Sequence, residues 1–475
     1  SIVPEVLYSN VIGVQDQANG GTGLDAVLGQ QTIVDGHVQY RANARSAADP
    51  SLTNNQLFSL AGRDKTVFFL GKLDATTGLR LGANSTTDLS GGVVLNPRAP
   101  VLANGRRLVT GTLFGGGSIR TSATYLDSSS KLFTAPSYGA GRTQVIKAGA
   151  PLDYAKATLG LRLQADAGAT IDISGTSANL DIQTGASTYE LTPQWSNGGT
   201  LSVLAGGSIA GAMIEADGGA EAAEGGILEW LTPTLVQSYS DGSPTLDALS
   251  ADQIASSGFD TLIARRTLGL TGGVTLKLGK ALILSSADAP SASPQERDYQ
   301  TGVVLQSSGD AHIDAPYIRL SSRAQTVPNS LSTAAQSGSI TFTANNIDLV
   351  GAIRFVVPGT AADGLSPAGT VNLRASGDIR LTGVLPAIAN NTRQVGLTGG
   401  VISNGDLSFI ARQVYATTGT GNLQQLIEDR RNGTSNSAAL PYLVASLAKG
   451  GTVSFASNGG AVPDSPLSAG SWLRV

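Results

Sequence analysis

Gly338-Ser339-Ile340-Thr341-Phe342 and Gly369-Thr370-Val371-Asn372-Leu373 say the same thing twice, 31 residues apart: a glycine, then apolar residues alternating with small polar ones. The phrase also occurs as Gly199-Thr200-Leu201-Ser202-Val203, Gly273-Val274-Thr275-Leu276, Gly405-Asp406-Leu407-Ser408-Phe409 and Gly451-Thr452-Val453-Ser454-Phe455. Period-two alternation describes a strand with one buried face, and the leading glycine suits a tight corner. Many short strands with small-residue corners predict an all-β chain wound into a solenoid. In such a chain function lies in length and surface and needs no pocket.

Outward from this phrase, second strands of the same type lie between its copies: Tyr317-Ile318-Arg319-Leu320, Ile347-Asp348-Leu349-Val350 and Ile379-Arg380-Leu381. Their alternation turns Ile318, Leu320, Ile347, Leu349, Ile379 and Leu381 inward, and Arg319, Asp348 and Arg380 outward. The corner glycines at 199, 226, 273, 302, 338, 369, 405 and 451 are 27 to 47 residues apart. That irregularity predicts coils of two or three strands with loops of variable length at one corner. Residues 151–475 read as the regular solenoid, and residues 1–150 as a less regular portion with longer loops. Three stretches break the pattern. Residues 233–265 contain Ser250-Ala251-Asp252-Gln253-Ile254, a capping-box signal for a short helix. Residues 285–299 read as a Ser/Ala/Pro loop. Residues 422–448 read as two short helices, one over 422–432 and one from Ala438 to Ala448.

Composition narrows the class. The chain has 475 residues, enough for a large core, and 41% are hydrophobic, which argues against disorder. Charged residues make up 14% and the net charge is −4, so no nucleic-acid partner is expected and no basic stripe for anionic lipid. Cysteine is absent, as suits a chain that crosses an oxidising compartment unfolded, where stray disulfides would trap it. No apolar run is long enough for a transmembrane helix. Ser1-Ile2-Val3-Pro4 does not begin a signal peptide, and Ser471-Trp472-Leu473-Arg474-Val475 stops inside a strand-like phrase. The chain is therefore expected to be a piece of a longer protein.

Chemistry-bearing residues are few. The two histidines, His37 and His312, both lie in alternating stretches. A surface or ladder position suits them better than a catalytic triad, which needs a paired nucleophile and orienter. Without cysteine, a tetrahedral zinc site is not expected. The strongest enzyme candidates are Asp310 with Asp314 and Asp166 with Asp172, whose even spacing puts each pair on one face. Glycoside chemistry needs such carboxylates converging at about 5–10 Å. No aromatic sugar platform accompanies them, and solvated outward positions are the default. Gly20-Gly21-Thr22-Gly23-Leu24-Asp25-Ala26-Val27-Leu28 matches one calcium nonapeptide but has no stacked copy. Phe114-Gly115-Gly116-Gly117-Ser118 is no phosphate loop. Trp195, Trp230 and Trp472 could anchor a partner, although a residue placed as Trp230 is more often core or coil cap. No catalytic, cofactor-binding or metal-binding residue is assigned, and no cofactor is expected.

Several phrases in order resemble the coils of filamentous-haemagglutinin-like bacterial exoproteins. They are Ala167-Gly168-Ala169-Thr170-Ile171-Asp172-Ile173-Ser174-Gly175, then Gly198-Gly199-Thr200-Leu201-Ser202-Val203-Leu204-Ala205-Gly206-Gly207-Ser208-Ile209. Ala315 to Leu320, Ile347 to Gly351, Gly377-Asp378-Ile379-Arg380-Leu381, Gly405 to Phe409 with Gln413-Val414-Tyr415, and Pro466 to Gly470 follow. The resemblance covers residues 160–475 well. It covers 65–120 loosely, as in Thr87-Asp88-Leu89-Ser90-Gly91-Gly92. It implies a right-handed parallel β-helix from the central or C-terminal region of such a protein. It also implies two-partner secretion through an outer-membrane transporter and a place at the outer surface of a Gram-negative cell. The implied role is adhesion to a glycan or protein of a host or neighbouring cell, or a filament or stalk; separately, unpaired strand edges at the two ends would favour self-association unless capped or continued. The family's secretion domain with its Asn-Pro-Asn motifs is not matched, since Asn96-Pro97-Arg98 departs from it. A carbohydrate-active β-helix enzyme is the alternative.

Overall fold

A computed structural model describes residues 86–96, 98–121, 162–165, 167–203, 206–239, 247–265, 267–285, 303–321, 338–357, 369–383, 400–417, 442–447 and 450–461, and the strands at 31–34, 37–41, 57–59, 72–75, 79–81, 124–126, 132–134 and 473–474. Its contacts divide it into two units. One comprises residues 1–231, 239–249 and 253–262, the other residues 232–238, 250–252 and 263–475.

The second unit is a parallel β-helix. Its first sheet stacks Val274–Lys277, Ala311–Asp314, Gly338–Ala344, Gly369–Ala375, Asp406–Ala411 and Val453–Ser457, each parallel to the next. The second stacks Ala281–Ser285, Tyr317–Ser321, Asn346–Val350, Asp378–Thr382 and Gln413–Thr417. The third stacks Thr234–Val236, Thr267–Leu270, Val303–Ser307, Ala352–Val356, Gly400–Ser403, Tyr442–Ser446 and Leu473–Arg474. The chain visits the sheets in rotation, one strand of each per coil, as in Gly400–Ser403, Asp406–Ala411 and Gln413–Thr417. One coil departs from this: Val303–Ser307 pairs directly with Ala352–Val356, past the coil built on Gly338–Ala344 and Asn346–Val350. Residues 322–337, which lead into that coil, lie outside the described residues.

The repeated phrases land in register. Ile340 pairs with Val371, and Phe342 with Leu373, which in turn pairs with Phe409. All five are fully buried. So are Ile318, Leu320, Ile347, Leu349, Ile379 and Leu381. Burying one such side chain contributes about 1.5–3 kcal/mol, and stacking like residues makes that burial continuous from coil to coil. The Phe409 and Phe455 rings stack with centroids 4.9 Å apart.

The first unit also winds through three parallel sheets. Lys72–Ala75, Ser118–Thr121, Thr200–Val203 and Gly226–Trp230 form one. Leu79–Leu81, Arg162–Ala165 and Gly206–Ser208 form another, and Thr86–Asp88, Thr170–Asp172 and Met213–Glu215 the third. Antiparallel pieces join these coils. Gln31–Val34, His37–Arg41 and Leu57–Ser59 make a three-stranded meander, and Thr124–Leu126 pairs with Leu132–Thr134.

The expected helix at Ser250 exists as α1, Ala251–Ser256. The Ser250 hydroxyl donates to the Gln237 carbonyl at 3.0 Å. The Gln253 amide nitrogen donates to the carbonyls of Ile209 and Ala212. Of the rest of 233–265, Thr234–Val236 and Phe259–Ala264 are strands of the coils, and 240–246 lie outside the described residues. The helix expected from Ala438 to Ala448 is corrected: Tyr442–Ser446 is a strand of the third sheet. Its alternation, Tyr442 and Val444 buried with Leu443 exposed, is that of a strand. The Tyr442 hydroxyl donates inward to the carbonyls of Leu349 and Gly351. The helix expected over 422–432 and the loop over 286–299 lie outside the described residues.

Candidate functional site

The phrase Ile171-Asp172-Ile173-Ser174-Gly175 shows how one corner of the first unit is made. Thr170–Asp172 ends the strand, and the Asp172 carboxylate accepts from the backbone N–H and hydroxyl of Ser174 at 3.0 and 2.6 Å. One coil earlier, Asp88 accepts from Ser90 in the same two ways at 3.1 and 2.6 Å. Both short-range turns end on a glycine, Gly175 or Gly91. There the backbone leaves the coil instead of entering the next sheet.

What leaves is a β-hairpin in each case. Gly92–Leu95 pairs antiparallel with Gly111–Phe114, and Ser177–Gln183 with Tyr189–Trp195. Each returns through glycines packed against neighbouring backbone. A Cβ on Gly116 would lie 1.9 Å from the Ile173 carbonyl oxygen, and one on Gly199 would lie 2.0 Å from that of Gly117. In the third coil the corresponding corner is the short turn between Met213–Glu215 and Gly226–Trp230.

The two hairpins are fastened edge to edge. The Asp181 N–H donates to the Val109 carbonyl at 2.7 Å, and the Val109 N–H donates to the Asp181 carboxylate at 2.6 Å. Arg106 closes the joint with a two-pronged pair to Asp181 at 2.8 and 3.0 Å. The Asp181 side chain is fully covered. Arg106, and after it the Val109 N–H, hold its carboxyl below the usual carboxylate range. A depressed carboxyl stabilises at pH above its unfolded value, and the effect is lost as pH falls through the folded value. Protection of the Val109 amide in hydrogen exchange is therefore expected to persist down through the ordinary carboxylate range and fail only in stronger acid. Asp181→Asn is expected to weaken that protection at neutral pH and flatten its pH dependence. Unchanged protection in the variant would contradict the joint.

The second hairpin presents an apolar edge. The Thr184 N–H donates to the Thr188 carbonyl, and the Ser196 N–H to the Thr176 carbonyl. Hydrogen-bonded pairs alternate along an antiparallel ladder. Tyr189, Leu191, Pro193 and Trp195 thus turn their backbone groups to the free edge and share one face. Proline suits this place because the position has no ladder N–H to lose. Leu191 is 50% exposed and Trp195 44%. On the first hairpin Leu95, Val101 and Val109 are exposed, among three arginines (Arg98, Arg106, Arg107) and no acid between residues 92 and 114.

The residues singled out in sequence fall elsewhere or stand alone. His312 is exposed on Ala311–Asp314, and the backbone of His37 lies on the strand His37–Arg41. Asp310 accepts from the N–H and hydroxyl of Ser339, while Asp314 opens onto a groove considered below. Asp172 is held in its own turn, and Asp166 lies outside the described residues, as do Gly20 to Leu28 and Trp472. Trp230 is fully buried and donates its indole N–H to Asp247 at 2.9 Å. Among the described residues no cluster of three or more His, Asp or Glu could hold a metal ion, and no helix is long and apolar enough to cross a membrane. The hairpin pair was not singled out in sequence. Its signal was there in glycines bracketing each excursion, Gly91-Gly92 with Gly115-Gly116 and Gly175 with Gly198-Gly199.

No protein-family model, no curated protein and no solved structure matches this chain.

Proposed function

We propose that the chain is an extracellular β-helical rod from a large secreted exoprotein of the filamentous-haemagglutinin kind, acting in adhesion or as a cell-surface filament or stalk. The paired hairpins are its contact surface. The carrying observation is their apolar exposure: of the ten large hydrophobic side chains exposed among the described residues, six (Leu95, Val101, Val109, Ile182, Leu191, Trp195) lie on these two hairpins. Exposed apolar residues gathered on one feature mark an interaction surface, and a tryptophan among them supplies an anchor. The coil phrases and the absence of cysteine support export through an outer-membrane transporter. Stacking one coil at a time, driven by apolar burial, would fold the rod outside the cell without ATP. Adhesion then comes from reach and weak contacts made many at a time.

The test compares the chain with a Leu191→Ser/Trp195→Ser variant on host cells and a glycan array. Binding is expected to fall at least tenfold while the thermal melt is unchanged, because both side chains already face water. A Leu443→Ser control, exposed on the other unit, should bind as the parent does. Equal binding by the double variant would remove the hairpins as the adhesive surface.

A further inference from the structure

The second unit carries a groove along the corner between its first and second sheets, with a volume of about 820 Å³. It crosses successive coils. Its wall is one column of the first sheet, in register: Lys277, Asp314, Thr343, Arg374 and Ile410. Its floor is corner backbone at Ala315, Ala344 and Ala375, all buried. Strands stack at about 4.8 Å, so the side chains of this column present one functional group per rung.

The charges in this column differ from those next to it. Two outward cations nearby are neutralised within the rod: Arg380 on the second sheet pairs with Asp348, and Arg412 at its corner with Asp378 at 2.8 Å. Both of those partners come from the preceding coil. Lys277 and Arg374 are exposed, and among the described residues neither has a carboxylate partner. Three rungs separate them, about 14 Å at the stacking distance. Asp314 and Thr343 occupy the rungs between, offering an acceptor and a hydroxyl. Among the described residues no aromatic ring lines the groove. A site for a neutral sugar chain would stack its rings on aromatic faces, whereas this one has cations at a fixed spacing.

We propose that this groove binds a linear anionic polysaccharide lying along the coil axis. Acidic groups on the sugar rings would pair with Lys277 and Arg374, and ring hydroxyls would donate to Asp314 and bond with Thr343. Acidic groups about 14 Å apart along such a chain would meet both cations. The volume falls within the roughly 300–1,000 Å³ of small-ligand sites, which suits a short oligosaccharide. Among the described residues one carboxylate lines the groove; the assignment is therefore to binding, since glycoside hydrolysis needs a pair. It does not depend on the hairpins of the first unit.

Titration calorimetry with three six-sugar probes tests this: oligogalacturonate for carboxylate, a heparin-derived oligosaccharide for sulfate, and cellohexaose as the neutral chain. At least one anionic probe is expected to bind at least tenfold more tightly than cellohexaose and to weaken with salt. Which one does so identifies the acidic group. Lys277→Gln/Arg374→Gln should lower that affinity at least tenfold and flatten the salt dependence. Arg265→Gln, a cation outside the groove lining, should leave it unchanged. Binding of cellohexaose as tight as the anionic probes, no binding by either anionic probe, or full affinity in the double glutamine variant would overturn the proposal. A loss of oligosaccharide binding without loss of cell adhesion would separate this site from the hairpin surface.

Discussion

Leu373→Asp is expected to abolish the cooperative thermal transition of the second unit, while its neighbour Asn372→Asp leaves the transition almost where it was. Leu373 is fully buried and sits in the column between Phe342 and Phe409. Deleting a buried leucine side chain costs about 2–5 kcal/mol, and a carboxylate in its place adds several kcal/mol for an unpaired buried charge. Each coil is stabilised by the coils on either side, so the damage reaches both neighbours. Asn372 lies on the outer face, where its amide donates to the Thr341 hydroxyl at 3.3 Å. Losing so long and half-exposed a bond should cost no more than about 0.5 kcal/mol. Circular dichroism melts of the two variants decide the matter, and equal shifts would refute the register.

Gly116→Ala is expected to destabilise the first unit by about 3 kcal/mol or more, a large effect for one methyl group. The added carbon would lie 1.9 Å from the Ile173 carbonyl oxygen and 2.5 Å from the Gly199 nitrogen. Both are backbone atoms of neighbouring coils, so neither can swing aside as a side chain would. The hairpins leave and return at this corner, so the same substitution should expose them to limited proteolysis. Gly105→Ala gives the contrast. That glycine sits at the hairpin tip with φ of +82° and open space around it, so alanine there costs only about 1 kcal/mol of backbone strain. A melt in which Gly105→Ala is the more damaging would mean that the coils do not approach one another as described.

The coil strands were legible because their signal is local. Alternation in Gly338–Ala344 and Gly369–Ala375 identifies the buried face without reference to any other residue. The inward positions of Ile318, Ile347 and Ile379 follow in the same way. Tyr442–Ser446 was misread because a short apolar stretch fits either period, and only a sheet partner, Gly400–Ser403, decides between them. Asp348 and Arg380 were read correctly as outward. Their pairing was not visible, since they are 32 residues apart and become neighbours only when two coils stack. The carboxylate pairs were plausible on spacing alone, yet Asp310 and Asp172 are occupied by serines in the structure.

Composition and alternation were enough to establish an all-β chain in repeating coils with an apolar interior and polar hydroxyls outside, because strand periodicity and glycine corners are properties of a few consecutive residues. The hairpin pair and the charged groove come from distant residues. Arg106 meets Asp181 across 75 positions of sequence, and Lys277 shares a column with Arg374 through two intervening strands. Loop lengths between strands set which residues align from coil to coil, and only the stacked backbone reveals that alignment.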